Sequence, residues 1–173
     1  MLKYKQIWHR IKPTRWLIKF NLTLRNLEVL HLGENQLNGL IPQQVGQLES
    51  LNNLFLYANH LKGHIPVPLG NLSNLAYVYL SDNQLFGSIP LEIGKLPNLV
   101  ELDINKKSLT GPIPSSIGNL EKLTLFHVYN NHLSGSIPTE IGDLKSLISL
   151  RLERNNLSGS IPTSGSIPTP IQQ

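Results

Sequence analysis

The sequence predicts a repeat solenoid, in which short parallel strands stack one on another. Aligned on itself, the 173-residue chain shows a period of 24 residues. Apolar residues alternate near the start of each period, as in a strand with one buried face. A fixed period of this length is typical of proteins whose neighbouring units share one continuous core. The six units begin at Leu27, Leu51, Leu75, Leu99, Leu123 and Leu147, and the sixth is incomplete.

The residues that recur at fixed positions of the repeat, counted from its first leucine, each have a physical role. Positions 4 and 6 are apolar and predict parallel strands over 29–32, 54–57, 78–81, 102–105, 126–129 and 150–153. Position 9 is Asn in five units, where its amide can satisfy backbone groups as the chain leaves the strand. Lys107 takes this place in the fourth unit, and we expect the asparagine ladder to be weaker there.

Glycine and proline mark the turns of the repeat. Glycine occurs at position 13 in all six units and at position 20 in the five complete ones. It permits a left-handed backbone or a close approach that a Cβ would obstruct. Positions 15 and 16 are always Ile-Pro, and proline fixes φ at the entry to a short helical turn.

Charge and composition exclude several classes of protein. The net charge is +4, but the first 26 residues carry seven Lys or Arg and no acid, which leaves the rest of the chain at −3. A nucleic-acid-binding protein carries positive charge on its folded face, so we expect no nucleic acid partner. The chain has no cysteine, which excludes disulfides, thiolate zinc sites and cysteine nucleophiles.

The chain divides into three segments. Residues 1–26 form a basic N-terminal segment, 27–163 form the repeat domain with five complete units and one partial unit, and 164–173 form a C-terminal tail. No stretch is apolar enough for a transmembrane helix, and the first 20 residues lack the apolar core of a signal peptide. The residues alone therefore predict neither export nor a membrane anchor.

The N-terminal segment leaves three interpretations open. One helical face would carry Tyr4, Ile7, Trp8 and Ile11. A helix that caps the first repeat is the simplest interpretation, since terminal repeats need their open edge covered. A basic helix on a membrane surface and a disordered start are the alternatives.

The repeats resemble the plant-specific class of leucine-rich repeats. The pattern LxxLxLxxNxLxGxIPxxIGxLxx, as over 75–98 and 123–146, is that of this class. The similarity covers 27–163 and extends to the ectodomains of plant receptor-like kinases and receptor-like proteins. It implies a leucine-rich-repeat solenoid: a right-handed superhelical coil with an inner parallel β-sheet, a second set of short strands, and short 3-10 or helical outer segments.

The resemblance also implies a function. It suggests a non-catalytic module of a receptor ectodomain in cell-surface signalling, at the plasma membrane or outside the cell. Its partners would be a peptide or protein ligand and a co-receptor with leucine-rich repeats. No kinase motif occurs in the chain, so no enzyme activity is expected. The alternatives are a soluble interaction protein, such as an inhibitor of a secreted enzyme, and a non-functional fragment of a receptor gene.

The inner face, defined as repeat positions 3, 5 and 7, is the candidate binding surface because these residues point away from the core. Five of the chain's 11 aromatic residues fall on it. Tyrosine suits recognition since its rigid ring is apolar and its tip is polar, although aromatic residues also favour strands for packing reasons. We favour a ligand-binding role for Phe55, Tyr57, Tyr77, Tyr79, Asp103, His127, Tyr129 and Arg151.

We expect no catalytic, metal or cofactor site. Asp103 and His127 share repeat position 5 in adjacent units, but no nucleophile is placed beside them. The histidines come from different units without the spacing of metal ligands. Arg151 could bind a ligand carboxylate, although a solvated ion pair is the simpler interpretation. Candidate glycosylation sites, which need a secreted chain, are Asn21, Asn71 and Asn156.

Overall fold

The computed structural model describes residues 24–106 and 108–162. Each repeat contributes two short strands, and each of the first five repeats adds a 3-10 helix. The strands are β1 (Val29–His31), β2 (Asn38–Leu40), β3 (Asn53–Phe55), β4 (His60–Gly63), β5 (Tyr77–Tyr79), β6 (Gln84–Gly87), β7 (Glu101–Asp103), β8 (Ser108–Gly111), β9 (Leu125–His127), β10 (His132–Ser136), β11 (Ser149–Arg151) and β12 (Asn156–Ser158). The 3-10 helices are Gln43–Gln47, Val67–Asn71, Leu91–Lys95, Ser115–Asn119 and Thr139–Asp143.

The strands form two parallel sheets. The first strand of every repeat joins the inner sheet, in the order β1-β3-β5-β7-β9-β11. Its register advances by one repeat per strand, so that Leu30 lies opposite Leu54, which lies opposite Val78. The second strands form the other sheet, in the order β12-β10-β8-β6-β4-β2. This arrangement confirms the predicted solenoid, with its inner parallel sheet, second set of strands and short outer 3-10 helices.

The inner strands are shorter than predicted, and from the second repeat onward they start one residue earlier. Hydrogen bonds between repeats continue past the strand ends: Leu32 N donates to Phe55 O at 2.8 Å, and Glu34 N donates to Tyr57 O at 2.9 Å. The strands end because position 8 has a positive φ, between 51° and 57°, in every repeat. The residue type at this turn varies, so the sequence pattern does not reveal the turn: Glu34, Ala58, Asp82, Lys106, Asn130 and Arg154.

The asparagine at position 9 bonds both to its own repeat and to the preceding one, as predicted. Asn59 is 5% exposed; its Nδ2 donates to Leu56 O at 3.0 Å and to Leu32 O at 2.9 Å. Its Oδ1 accepts from Leu37 N at 2.9 Å. The same set of bonds is made by Asn83, Asn131 and Asn155. The amides thereby satisfy backbone groups where the chain turns.

The outer side follows from the proline and the second glycine of the repeat. Proline stands at the N-terminus of each 3-10 helix with φ between −60° and −71°, which confirms its predicted role. The glycine at position 20 lets neighbouring repeats touch, since a Cβ on Gly94 would lie 2.2 Å from Ser116 O. The glycine at position 13 has a positive φ instead, 84° at Gly87. The two glycines therefore serve the two roles predicted for them.

One core runs through the repeats. In the second repeat Leu54 and Leu56 are 0% and 1% exposed, whereas Phe55 between them is only partly buried. Side chains from the second sheet and the 3-10 helices complete this core, for example Leu61 and Leu69, both 0% exposed. Burying a side chain of this size contributes about 1.5–3 kcal/mol, so each added repeat stabilises its neighbour.

Several predictions lie outside the described residues. They concern the helical face of Tyr4, Ile7, Trp8 and Ile11, the weakened ladder at Lys107, and the tail over 164–173. The segment boundaries at 26 and 163 also stay predictions.

Candidate ligand-binding face

The register of the inner sheet gathers all eight predicted candidates on one face, and each of them is partly exposed. The central row, at repeat position 5, consists of His31, Phe55, Tyr79, Asp103, His127 and Arg151. Position 3 supplies the row Val29, Asn53, Tyr77, Glu101, Leu125 and Ser149. Neighbouring strands lie about 4.8 Å apart, so adjacent members of a row can contact one another.

Position 7 differs in part from the prediction. Tyr57, Tyr129 and Glu153 are partly exposed there, but Ser81 and Asn105 are buried, with 9% and 4% exposure. Position 7 therefore contributes fewer accessible residues than an alternating strand would suggest.

The aromatic half of the inner face comprises His31, Phe55, Tyr57, Tyr77 and Tyr79 from the first three repeats. The Phe55 and Tyr79 rings stack with centroids 4.7 Å apart at 29°, and the His31 ring meets Phe55 edge-on at 5.2 Å and 84°. His31 Nε2 also lies 3.2 Å from the Tyr57 hydroxyl. These geometries are the favourable ones for aromatic pairs, so the rings form one continuous apolar surface with polar tips.

The charged half comprises the inner-face residues of repeats four to six. At its border with the aromatic half, the Tyr79 hydroxyl donates to Glu101 Oε2. At its far end, the Arg151 guanidinium carbon lies 4.0 Å from the centre of the Tyr129 ring. Arg151 Nε donates to Glu153 Oε1 at 2.9 Å. This end of the face therefore holds a cation between an aromatic ring and a carboxylate.

Two shifted pKa values describe the electrostatics of the face. Burial raises the pKa of Tyr79, and the hydrogen bond to Glu101 and the charges of Glu101 and Asp103 raise it further. Tyr79 thus stays a donor. Burial also lowers the pKa of His127; the charge of Asp103 opposes this shift, and the charge of Arg151 adds a smaller lowering. Because the ordinary value for histidine is about 6.5, His127 is neutral at physiological pH and the charges left on the face belong mainly to carboxylates.

Two buried side-chain atoms have no hydrogen-bond partner among the described residues: Asn105 Oδ1 and Glu153 Oε2. Both are acceptors, and both stand at position 7 in the charged half. The Asn105 amide nitrogen meanwhile donates to Asp103, and the other oxygen of Glu153 binds Arg151. A buried acceptor without a donor costs about 1–3 kcal/mol, so these two atoms reduce the stability of the charged half.

The expectation about a nucleophile was wrong in one detail. Asp103 and His127 are register partners, as expected, and Ser149 Oγ of the next strand lies 2.8 Å from His127 Nε2. However, Ser149 N is occupied by a backbone bond to Thr124 O at 2.9 Å, as befits a residue inside a sheet. An acyl-transfer site needs backbone donors aimed at an oxyanion, and a strand whose N–H groups serve the sheet does not supply them.

The predicted site omitted five residues that contact its members: His31, Glu101, Asn105, Ser149 and Glu153. Their repeat positions already placed them on the inner face. The contacts themselves cross from one row to another, as from Tyr79 at position 5 to Glu101 at position 3. Such contacts depend on side-chain rotamers, which the repeat pattern does not specify.

The predicted glycosylation sites within the described residues are exposed. Asn71 ends a 3-10 helix on the outer side, as predicted, and Asn156 begins β12. Asn21 lies outside the described residues. Over 24–106 and 108–162, no group of three His, Asp or Glu residues is arranged to hold a metal ion. In the same ranges no helix has the length and apolar character needed to cross a membrane.

A groove of about 730 Å³ beside the second sheet was not predicted. It runs between the second and fourth repeats and includes Val67 and Leu91, which are 51% and 58% exposed. Both occupy position 17, which is polar in the other complete repeats. The groove is a second apolar surface, lateral to the inner face.

Comparison with protein families decides the identity of the repeats. The family described as leucine-rich repeat region matches residues 58–162, and the leucine-rich repeat itself matches 26–48. The chain belongs to the leucine-rich repeat family. Both matches concern leucine-rich repeats, which are a non-catalytic fold. A comparison with curated proteins finds no match.

The solved structures to which the chain is similar include plant receptor kinase ectodomains. The ectodomain of GASSHO1/SCHENGEN3 from Arabidopsis thaliana, solved in complex with CASPARIAN STRIP INTEGRITY FACTOR 2, is 46% identical with a TM-score of 0.77 over 78% of this chain. The Arabidopsis receptor kinase HAESA, in complex with the peptide hormone IDA and the co-receptor SERK1, is 39% identical with a TM-score of 0.78 over 80%. These matches confirm the resemblance inferred from the repeat pattern.

The chain is much shorter than those receptors. It spans 16% of the GASSHO1/SCHENGEN3 chain and 23% of the HAESA chain. A smaller ectodomain, BIR2 from Arabidopsis thaliana, is 35% identical with a TM-score of 0.68, over 80% of this chain and 72% of BIR2. The part that the chain shares with these receptors is therefore the repeat array.

Proposed function

We propose that the chain is a non-catalytic module that binds a peptide or protein ligand on its inner face, as part of a plant receptor-like kinase ectodomain. The module acts in signalling at the plasma membrane or outside the cell, and a co-receptor with leucine-rich repeats is its second partner. Asn71 and Asn156 are exposed and carry glycans in that setting.

The continuous ring surface of the aromatic half is the observation that carries this proposal. Stacking of Phe55 on Tyr79 and the edge contact of His31 hold the rings in fixed positions. Because these rings are already held in place, they lose little conformational entropy when a ligand binds, which favours affinity. Tyr129 extends the aromatic character into the charged half, so the candidate surface runs along the whole sheet.

The length of the inner face limits the size of what it can bind. Six strands spaced by about 4.8 Å span roughly 24 Å. An extended peptide advances about 3.3 Å per residue, so roughly seven residues fit along the face. The ligand in contact with this chain is therefore a short peptide, or a short segment of a larger one.

Selection from a random heptapeptide phage library on the immobilised chain tests the proposal. Wild type should enrich peptides, and the double variant Tyr79→Ala/Tyr129→Ala should lose them while keeping its circular dichroism spectrum. Each anchor of this kind contributes about 2 kcal/mol, or roughly 30-fold in affinity. The matched control is Val67→Ala/Leu91→Ala, which removes two exposed apolar residues from the lateral groove. Enrichment that survives the tyrosine variant but not the control would move the site to the lateral groove.

A further inference from the structure

We infer that the ligand of the inner face carries an aromatic side chain, whose ring lies flat across the edges of the Phe55 and Tyr79 rings. This inference rests on the proposed function and adds the chemical class of the ligand, which is a short peptide with an aromatic residue. It also specifies the orientation in which that residue binds.

Neighbouring rings cover both faces of the Phe55 ring. The register places Phe55 between His31 on the preceding strand and Tyr79 on the next one. The Tyr79 ring stacks on one face, with centroids 4.7 Å apart at 29°. The His31 ring meets the opposite face edge-on, at 5.2 Å and 84°. Phe55 is nevertheless partly exposed, so the part of it that a ligand can reach is the edge of the ring.

The Phe55 and Tyr79 rings stand upright on the sheet. Their centroids are 4.7 Å apart, which is close to the spacing of about 4.8 Å between neighbouring strands. The stack therefore follows the direction that joins one strand to the next. Rings that stack along the sheet in this way point their edges away from it. Tyr79 is partly exposed like Phe55, so two parallel edges lie side by side on the inner face.

Tyr57, on the same strand as Phe55, is held away from these edges. Its ring leans over Gly33 of the preceding repeat, where a Cβ would stand only 2.7 Å from two ring atoms and 3.0 Å from a third. Its hydroxyl lies 3.2 Å from His31 Nε2 in that repeat. The missing side chain at Gly33 therefore gives Tyr57 a place beside the upright rings.

The exposed edges select the kind of group that binds on them. An aromatic ring carries partial positive charge at its edge and partial negative charge on its face. Two parallel edges therefore attract the face of a third ring. A ring that lies across both edges keeps its centre within the range of about 4.5–7 Å that aromatic pairs favour. An aliphatic side chain also fits there, but it gains only from the burial of apolar surface and binds more weakly.

The heptapeptide library gives the first test, with Phe55→Leu/Tyr79→Leu as the variant. These substitutions keep the surface apolar and remove both upright rings, and circular dichroism checks the fold. Peptides enriched on wild type should contain Phe, Tyr or Trp more often than the library does. On the variant these residues should lose their advantage over Leu and Ile. The control Phe86→Leu removes an exposed ring from the second sheet and should retain the aromatic enrichment.

A pair of synthetic peptides tests the orientation of the ligand ring. One enriched peptide is made with phenylalanine at its aromatic position and again with pentafluorophenylalanine. The fluorine atoms reverse the partial charges of the ring face and edge, and they make the ring more apolar. On wild type and on Phe86→Leu, the fluorinated peptide should bind about 2- to 10-fold more weakly. On Phe55→Leu/Tyr79→Leu this difference should disappear. The comparison on wild type decides the orientation even if the variant does not fold.

Three results would overturn the inference and leave the proposed function standing. Enriched peptides that depend on Tyr79 and Tyr129 without an excess of aromatic residues would exclude the aromatic ligand. Equal or tighter binding of the fluorinated peptide to wild type would show simple burial or face-to-face stacking. A difference that persists on Phe55→Leu/Tyr79→Leu would place the ligand ring elsewhere. A library with no peptide enriched on wild type over Tyr79→Ala/Tyr129→Ala would overturn both the inference and the proposed function.

Discussion

The two halves of the inner face share one backbone and differ in what their side chains do for one another. In the aromatic half, Phe55, Tyr79 and His31 satisfy each other through ring contacts. In the charged half, Asn105 and Glu153 each have a buried acceptor without a partner among the described residues. The side chains of the aromatic half therefore satisfy one another within the folded chain, whereas those of the charged half do so only in part. We expect the aromatic half to bind many apolar groups and the charged half to be more selective.

The comparison also separates the residues that build the fold from those that vary on it. Both halves rest on the same parallel ladder, and both are backed by apolar side chains at positions 4 and 6. The differences lie at positions 3, 5 and 7. Because stacking fixes the strands without these positions, their chemistry can change from repeat to repeat at little cost to the fold.

The largest expected effect tests whether the two halves have equal support beneath them. Leu56 lies under the aromatic half and Ile104 under the charged half, each 1% exposed. Leu56→Ala and Ile104→Ala should each lower the free energy of unfolding by about 2–5 kcal/mol through loss of packing. Urea denaturation measures both, and the exposed Ser134→Ala should change it by less than about 0.5 kcal/mol. If only one of the two core variants lowered the free energy of unfolding by this amount, the two halves would differ in the packing of the core beneath them as well as in their surface side chains.

The next effect belongs to the charged half. Arg151→Ala should destabilise the chain by about 1–3 kcal/mol, because it leaves the Glu153 carboxylate, whose side chain is only 11% exposed, without its counter-charge. The estimate lies below that for a fully buried pair since the Arg151 side chain is 38% exposed. Adding Glu153→Gln should recover part of the loss in urea denaturation. No recovery would assign the effect to the packing of Arg151 on Tyr129 instead.

A smaller effect belongs to the aromatic half. In a double-mutant cycle of Phe55→Leu and Tyr79→Leu, the coupling between the two rings should be about 0.5–1.5 kcal/mol. Since ring stacking involves no net charge, the coupling should stay the same in 1 M salt, where the screening length is about 3 Å. A coupling that vanished in 1 M salt would mean that an electrostatic interaction, and not the ring stack, couples the two residues.

The smallest expected effect is a pH dependence from His127. Its pKa is lowered in the folded chain, chiefly by burial, so the unfolded chain takes up the proton first as pH falls below about 6.5. His127 therefore reduces stability as pH drops through the interval between its unfolded and its folded pKa, and has no such effect at pH 7.5. Comparing urea denaturation at pH 7.5 and 5.5, His127→Gln should lose less stability than wild type. An equal or larger loss in the variant would contradict the assignment.

Much of the fold could be predicted because its determinants recur at fixed positions. Leu54 and Leu56 identify the buried strand face, and Asn59 bonds as its amide chemistry requires. The turn at position 8 escaped prediction because residues as different as Ala58 and Arg154 adopt the same positive φ there. The neighbouring repeats impose that conformation, so no local preference reveals it.

The candidate site was predictable as a surface but not as a set of contacts. Repeat position alone placed Tyr79 and Arg151 on the inner face. It did not show that Tyr79 would bond to Glu101, or that Ser149 would lie against His127. Those pairings join different rows and depend on how long side chains lean across a sheet. The acceptors that have no partner among the described residues depend on the same side-chain conformations.

The close contact at the second glycine has a mechanical consequence. On the inner side, hydrogen bonds fix the distance between repeats; on the outer side, the absent side chain of Gly94 lets the backbone of the next repeat approach. The curvature of a solenoid depends on how the spacing between repeats on the inner side compares with the spacing on the outer side. An alanine at this glycine would push neighbouring repeats apart on the outer side, and the effects of such substitutions in successive repeats would add. In a long array, a residue on the outer side that does not contact a ligand would thus change the orientation of the binding surface.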